Sequence, residues 1–133
     1  MVLLHLISSV ILHFMYRHHK KLSFEEFREK ALGGKLKMVD MRDRKEYEEW
    51  HFPNTIWMNF KEIEANHKSL NANPEDEIIV LCDYGFRSLV YAQKLMNLGY
   101  KNVYSLKGGI KSHKHNIMEL SESLLQPKII AEI

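Results

Sequence analysis

The chain has 133 residues, 45% of them apolar and 27% charged, which excludes wholesale disorder and suits one globular domain with its own core. A net charge of +2 is too small to indicate nucleic acid binding, and no nucleic acid partner is expected. The single cysteine excludes an internal disulfide, fits a reducing compartment, and leaves no second thiol to complete redox chemistry within the chain.

Residues 1–21 are predicted to form an N-terminal hydrophobic helix with a basic flank at 17–21. A helix over the apolar part, residues 1–16, would reach only about 24 Å, against roughly 30 Å for the hydrocarbon core of a membrane. Three interpretations stay open: a short membrane anchor, a helix docked on a membrane surface or on the chain itself, and a wrongly assigned translation start. If the helix spans a membrane, the basic flank places the rest of the chain in the cytoplasm.

Helix and strand signals alternate along the remainder of the chain. Ser23 is a predicted N-cap of a helix over 24–32, which the pair Gly33–Gly34 ends. Further predicted elements are a strand over 36–40, a helical turn over 43–49, a strand-like run over 55–58, a weakly helical segment over 59–68, a loop over 71–76, strands over 77–81 and 102–106, and helices over 88–98 and 117–125. This order predicts an α/β fold with a small central parallel β-sheet flanked by helices on both faces.

The only cysteine opens a short loop, Cys82-Asp83-Tyr84-Gly85-Phe86-Arg87-Ser88, between the most strand-like run and a helix. Such a loop directs several backbone N–H groups, and the positive end of the helix dipole, at one point. These donors and Arg87 favour an ionised thiol at Cys82, whereas Asp83 opposes it as a like charge. The alternative is a buried structural thiol.

Three segments together resemble the rhodanese-like sulfurtransferase family. They are Val39 to Tyr47 followed by His51-Phe52-Pro53, the loop from Cys82 to Arg87, and Gly99 to Ile110 ending in Lys-Gly-Gly-Ile. On this resemblance residues 22–115 form a rhodanese domain, and residues 116–133 form a C-terminal helical extension outside it.

The resemblance implies transfer of a sulfane sulfur from thiosulfate or a persulfide, through a Cys82 persulfide, to cyanide or to a protein or small thiol. The loop residues Asp83, Tyr84, Gly85, Phe86, Arg87 and Ser88 would bind the substrate and the persulfide, with Ser88 capping the following helix. Asp40, Arg42 and Glu46 would brace the site wall, and His51 would be a buried framework imidazole. Neither a cofactor nor a metal is implied, and His113-Lys114-His115 is a weak metal pattern.

Two departures concern backbone turns: Trp50 and Asn54 stand where the family usually has glycine. Asn tolerates left-handed backbone, so the turn at 54 can survive; Trp50 would be accommodated by solvent or a partner. His113 stands near the position of a common family tryptophan.

Two rival functions follow from the same residues. One is a non-catalytic rhodanese-like module that binds a partner, with possible membrane contact through residues 1–21. The other is a cysteine-dependent phosphatase or arsenate reductase, which is disfavoured because only four residues separate Cys82 from Arg87 where those loops have five.

Overall fold

The computed structural model describes residues 20–126, which form an α/β unit around one sheet. The elements in chain order are β1 (Lys20–Leu22), α1 (Phe24–Leu32), β2 (Lys37–Asp40), α2 (Arg44–Glu49), β3 (Thr55–Trp57), a 3₁₀ turn (Phe60–Glu62), α3 (Ile63–Asn66), a second 3₁₀ turn (His67–Leu70), β4 (Glu77–Leu81), α4 (Phe86–Asn97), β5 (Asn102–Leu106), α5 (Gly109–Ser112) and α6 (Lys114–Leu125). The predicted α/β fold class is confirmed.

The five strands run parallel in the order β1-β5-β4-β2-β3. The chain leaves β2 toward β3 on one side and then returns to β4 on the other side of β2. In open α/β sheets, the crevice beyond the carboxyl ends of two strands at such a reversal is the usual ligand site. The segments after β2 and β4 therefore frame the expected position of an active site.

Alternate residues of β4 feed two apolar cores, because successive side chains in a strand point to opposite faces. Ile79 and Leu81 join one cluster, which α1, α5 and α6 cover. Ile78 and Val80 join the other, which α3 and α4 cover. Helices thus lie on both faces, as predicted.

The first strand was not predicted. Lys20 and Lys21, assigned from the sequence to the basic flank, lie in β1 and pair with Tyr104 and Ser105 of β5. The pattern missed this edge strand because only Leu22 of its three residues is buried. The predicted N-cap, Ser23, follows directly: its Oγ accepts from the backbone N–H of Glu26 at 3.1 Å, and its own backbone N–H donates to Glu26 Oε1 at 3.3 Å, so the two residues form a capping box.

The departures from the family pattern are accommodated within the domain. Asn54 adopts the left-handed backbone expected of it, with φ of 62°. Trp50 is half-buried against the first core cluster rather than left to solvent. His113 stacks on Phe24 at 5.6 Å, and its Nε2 lies 2.7 Å from the carbonyl oxygen of Lys107.

The last helix begins three residues earlier than predicted, at Lys114, and buries Ile117 and Leu120 in the first core cluster. The described part of the extension, residues 116–126, therefore packs on the domain. Within residues 20–126, no helix is both long and apolar enough to cross a membrane. The predicted N-terminal helix covered residues 1–21; its last two residues form part of β1 instead, and the predicted anchor over 1–19 lies outside the described part of the chain and stays a prediction.

Candidate active site

Cys82 directly follows β4, and Arg42 is the second residue after β2. Both side chains line a small cavity of about 170 Å³, together with Asp83, Tyr84, Phe86 and Arg87. The loop predicted from the sequence and the strand-end arginine therefore meet at the expected crevice.

The thiol of Cys82 lies at the bottom of this cavity. Cys82 is only 3% exposed, yet its Sγ accepts a hydrogen bond from the backbone N–H of Gly85 at 3.1 Å. Gly85 adopts φ of 86° at the N-cap of α4, which turns its N–H back toward the sulfur. This contact is the one hydrogen bond to Sγ found within residues 20–126, although donors across 83–87 were expected. The site thus offers the sulfur one oriented backbone donor beside a helix N-terminus.

The cysteine loop is held from behind by the start of α5. The N–H of Ile110 donates to the carbonyl of Cys82 at 2.9 Å, and the N–H of Lys111 donates to that of Asp83 at 2.8 Å. Gly109, with φ of 74°, packs directly on this backbone, and a Cβ there would lie 2.5 Å from the Tyr84 nitrogen. From the sequence, Gly108 and Gly109 appear only as part of the closing segment that resembles the family. The available signal was the glycine pair itself, since the sequence does not show which loop such a pair contacts.

Ser88 does not cap the helix. The helix begins at Phe86 with Gly85 at the N-cap, so Ser88 lies inside its first turn. Its side chain is buried, and its hydroxyl donates to the Gly85 carbonyl at 2.9 Å. The prediction was wrong because a glycine with positive φ turned the chain two residues earlier.

The cavity rim is aromatic and basic. Tyr84 is 56% exposed and Phe86 is 82% exposed, and the exposed Arg87 lies beside them. Within the described residues, no hydrogen bond joins the Arg87 guanidinium to a carbonyl of the loop. Its expected binding of the substrate stays a prediction.

Asp40 and Arg42 form a buried ion pair behind the cavity. Arg42 Nη2 donates to Asp40 Oδ2 at 2.8 Å and to the carbonyl of Trp50 at 2.7 Å, while Arg42 Nε contacts both carboxylate oxygens. Burial alone would lower the pKa of Arg42, but its hydrogen bonds and charge attraction to Asp40 raise the pKa overall. Most of the Arg42 donors are thus committed to the protein.

A cluster of charges surrounds Asp83 at the cavity edge. Its Oδ1 lies 3.8 Å from Arg42 Nη1, and its Oδ2 lies 3.6 Å from Lys111 Nζ. The neighbouring Asp83 carboxyl raises the pKa of Glu46, because a protonated Glu46 could donate a hydrogen bond to it, and burial and like charge act in the same direction. Glu46 of α2 thus lies beside the cysteine loop, a contact that the sequence did not predict.

His51 is exposed, contrary to the expectation of a buried imidazole. Its ring stacks on Tyr47 at 3.9 Å, and its Nδ1 lies 2.9 Å from the Tyr47 carbonyl. The prediction was wrong by one position along the chain, because the side chain of the next residue, Phe52, is the one that lies in the interior.

These features define a class: a parallel α/β protein with a single cysteine on a strand-to-helix loop. The rhodanese-like domain family matches residues 23–116. The thiosulfate sulfurtransferase GlpE of Coxiella burnetii is 32% identical over 96 residues, which cover 72% of this chain and 88% of that protein. The chain belongs to the rhodanese-like family.

Two further comparisons show the range of its relatives. The putative sulfur carrier protein YrkF of Bacillus subtilis is 32% identical over 92 residues, covering 68% of this chain and 49% of that protein. The human single-domain sulfurtransferase TSTD1 superposes with a TM-score of 0.61 at 23% identity, covering 71% of this chain and 95% of that one. The latter likeness concerns the fold.

Proposed function

We propose that this protein is a sulfurtransferase that carries a sulfane sulfur as a persulfide on Cys82. The observation that carries the proposal is the Gly85 N–H, which points at Cys82 Sγ from 3.1 Å on the floor of an open cavity. A backbone donor at a helix N-terminus stabilises a sulfur anion, whether thiolate or persulfide. Membership of the rhodanese-like family and relatives named as sulfurtransferases support the same chemistry.

The reaction proceeds in two displacements. The Cys82 thiolate attacks the outer sulfur of thiosulfate, the sulfur–sulfur bond breaks, and sulfite leaves with the electron pair. The new Cys82 persulfide is then attacked at its outer sulfur by cyanide or a thiolate, and the electron pair returns to Cys82. A covalent relay of this kind predicts ping-pong kinetics.

Some of the surrounding residues hold the cysteine loop in place, and others are available to bind the donor and the acceptor. Arg87, exposed on the rim, is the cation available to the anionic donor, because Arg42 is already bound to Asp40 and to the Trp50 carbonyl. Tyr84 and Phe86 supply apolar area for the acceptor. Gly85 and the N–H groups at the start of α5 hold the loop in place.

Intact mass spectrometry after incubation with thiosulfate tests the proposal directly. Since Cys82 is the only cysteine, we expect wild-type protein to gain one sulfur atom, to lose it on addition of cyanide with release of thiocyanate, and to gain none in Cys82→Ser. Arg87→Ala should load more slowly with thiosulfate while keeping its fold. Absence of both adduct and thiocyanate would contradict the enzyme and leave the alternative of a non-catalytic binding module.

A further inference from the structure

A second cavity lies next to the cysteine cavity. Its volume is about 490 Å³, within the range of small-molecule sites, and it is lined by Arg42, Trp50, Asp83, Ile110, Lys111, Lys114, Ile117 and Met118. Arg42 and Asp83 also line the cysteine cavity, so these two side chains form a shared wall. A molecule in the second cavity would therefore be a neighbour of the reactive sulfur.

The second cavity is built from parts of the chain that depart from the family. Trp50 supplies an indole where the sequence pattern favours glycine, and Ile117 and Met118 lie beyond residue 116, where the family match ends. Met118 is 40% exposed although it is a large apolar side chain. These residues give this chain an apolar surface that its cysteine loop alone does not supply.

The charges at this cavity are mainly positive. Lys111 is paired with Asp83 at 3.6 Å, and Arg42 is paired with Asp40. Lys114 has no ion-pair partner within residues 20–126, and it shares a face of α6 with Met118, four residues further on. An apolar cavity with an exposed lysine at its edge suits an apolar molecule that carries an anionic group.

We propose that this second cavity binds the sulfur acceptor, and that the acceptor is a small apolar thiol with a carboxylate at its far end. The inference rests on the proposed function. The apolar body packs on Trp50, Ile117 and Met118, the carboxylate pairs with Lys114, and the thiol extends past Arg42 and Asp83 to Cys82. The acceptor thiolate attacks the outer sulfur of the Cys82 persulfide, the bond between the two sulfurs breaks, and its electron pair returns to Cys82. The product is the acceptor persulfide, with no net oxidation or reduction.

Single-turnover transfer from loaded Cys82 separates the contributions of the apolar body and the charge. We would follow loss of the persulfide mass with thioglycolate, ω-mercaptooctanoate and ω-mercaptooctanol. Each buried methylene group contributes about fourfold in affinity. With about two methylene groups buried, the second-order rate constant should be roughly fifteenfold higher for ω-mercaptooctanoate than for thioglycolate. The neutral ω-mercaptooctanol should fall between them.

Matched variants on one helix locate the effect. Met118→Glu should remove the preference for ω-mercaptooctanoate, whereas Leu125→Glu, which changes a residue on the same helix that is 70% exposed and outside the cavity, should keep it. Lys114→Ala should bring ω-mercaptooctanoate to the rate of ω-mercaptooctanol. Turnover with cyanide, which has no apolar body, should stay unchanged in all three variants. Equal rates for long and short thiols, or loss of the preference in Leu125→Glu, would overturn the proposal.

Binding of octanoate tests the cavity without any sulfur chemistry. Titration calorimetry should show octanoate binding to the unloaded full chain, weakened in Met118→Glu and in Lys114→Ala. If octanoate binds but Cys82 cannot be loaded, the proposed function fails while the cavity assignment holds. If Cys82 loads but octanoate does not bind, the acceptor proposal fails alone. A dimer that Met118→Glu dissociates would show a second copy in the cavity, and would also overturn the proposal.

Discussion

Gly109 supports the cysteine loop through a contact that leaves no room for a side chain. A Cβ at Gly109 would collide with the peptide that joins Asp83 to Tyr84, and its φ of 74° is a conformation that L-residues rarely adopt. Gly34 has nearly the same φ, 76°, but nothing lies within 4 Å of the position its Cβ would take. Comparing alanine substitutions at these two glycines therefore separates the free-energy cost of the left-handed backbone from the cost of the contact with the cysteine loop.

We expect Gly109→Ala to cost about 3 kcal/mol or more of the free energy of unfolding, and Gly34→Ala only about 1 kcal/mol. The difference reflects displacement of the cysteine loop. Urea unfolding measures both values, and mass spectrometry should show that only Gly109→Ala slows sulfur loading. Equal costs for the two variants would mean that the loop yields to the added methyl group.

The buried carboxylate of Asp40 stabilises the folded protein through its ion pair with Arg42. Its side chain is fully buried and its carboxylate accepts from the backbone and the guanidinium of Arg42. Asp40→Asn leaves Arg42 as an incompletely paired buried charge, and we expect a loss of about 3 to 5 kcal/mol. Glu48→Gln, which breaks the exposed pair with Arg44, should cost less than about 1 kcal/mol. Thermal or urea unfolding compares the two, and similar losses would contradict the buried pair.

At the scale of elements, the contact between α2 and the cysteine loop is electrostatically unfavourable. Glu46 of α2 lies beside the Asp83 carboxyl, whose Oδ1 is buried with no hydrogen-bond partner within the described residues. Two neighbouring carboxylates repel each other when both are ionised. The folded protein tolerates this contact at the edge of its proposed site.

This contact predicts how stability depends on pH. Because folding raises the pKa of Glu46 above its ordinary value of 4.5, the folded state binds more protons than the unfolded state above that pH. Stability should therefore fall as pH rises from that value through the folded pKa. Glu46→Gln removes the repulsion and adds an N–H donor for Asp83, so it should stabilise the protein at neutral pH and have less effect in acid.

Urea unfolding across this pH range measures the effect. Glu49→Gln, an exposed carboxylate on the same helix, is the matched control and should leave the pH profile unchanged. A profile of Glu46→Gln parallel to that of wild type would show that the two carboxyls do not interact.

At the scale of the whole molecule, the domain is preceded by residues 1–19, an apolar run over 1–16 followed by the start of the basic flank, and β1 begins directly after them. We propose that this segment anchors the chain to a membrane and leaves the domain in the cytoplasm. Cell fractionation should find the full chain in the membrane fraction and a chain of residues 20–133 in the soluble fraction. Resistance to a high-salt wash distinguishes a spanning anchor from a surface-bound helix. A full chain that stays soluble would contradict both.

The sequence by itself determined the features that depend on neighbours along the chain. The N-cap at Ser23, the left-handed turn at Asn54 and the alternation of strands and helices after β1 all follow from local backbone preferences and hydrophobic patterns. The place of the cysteine loop was predictable for the same reason, since Cys82 to Ser88 is one contiguous segment between a strand and a helix, but of its expected N–H donors only that of Gly85 contacts the sulfur.

Only the tertiary structure decided the features that depend on packing between distant segments. It set β1 beside β5, packed Gly109 against the cysteine loop, and brought Glu46 to Asp83. The exposure of His51 and the burial of Trp50 also depended on which side chain filled the core. Such contacts join residues far apart in the chain, and local preference carries no information about which distant atoms will meet.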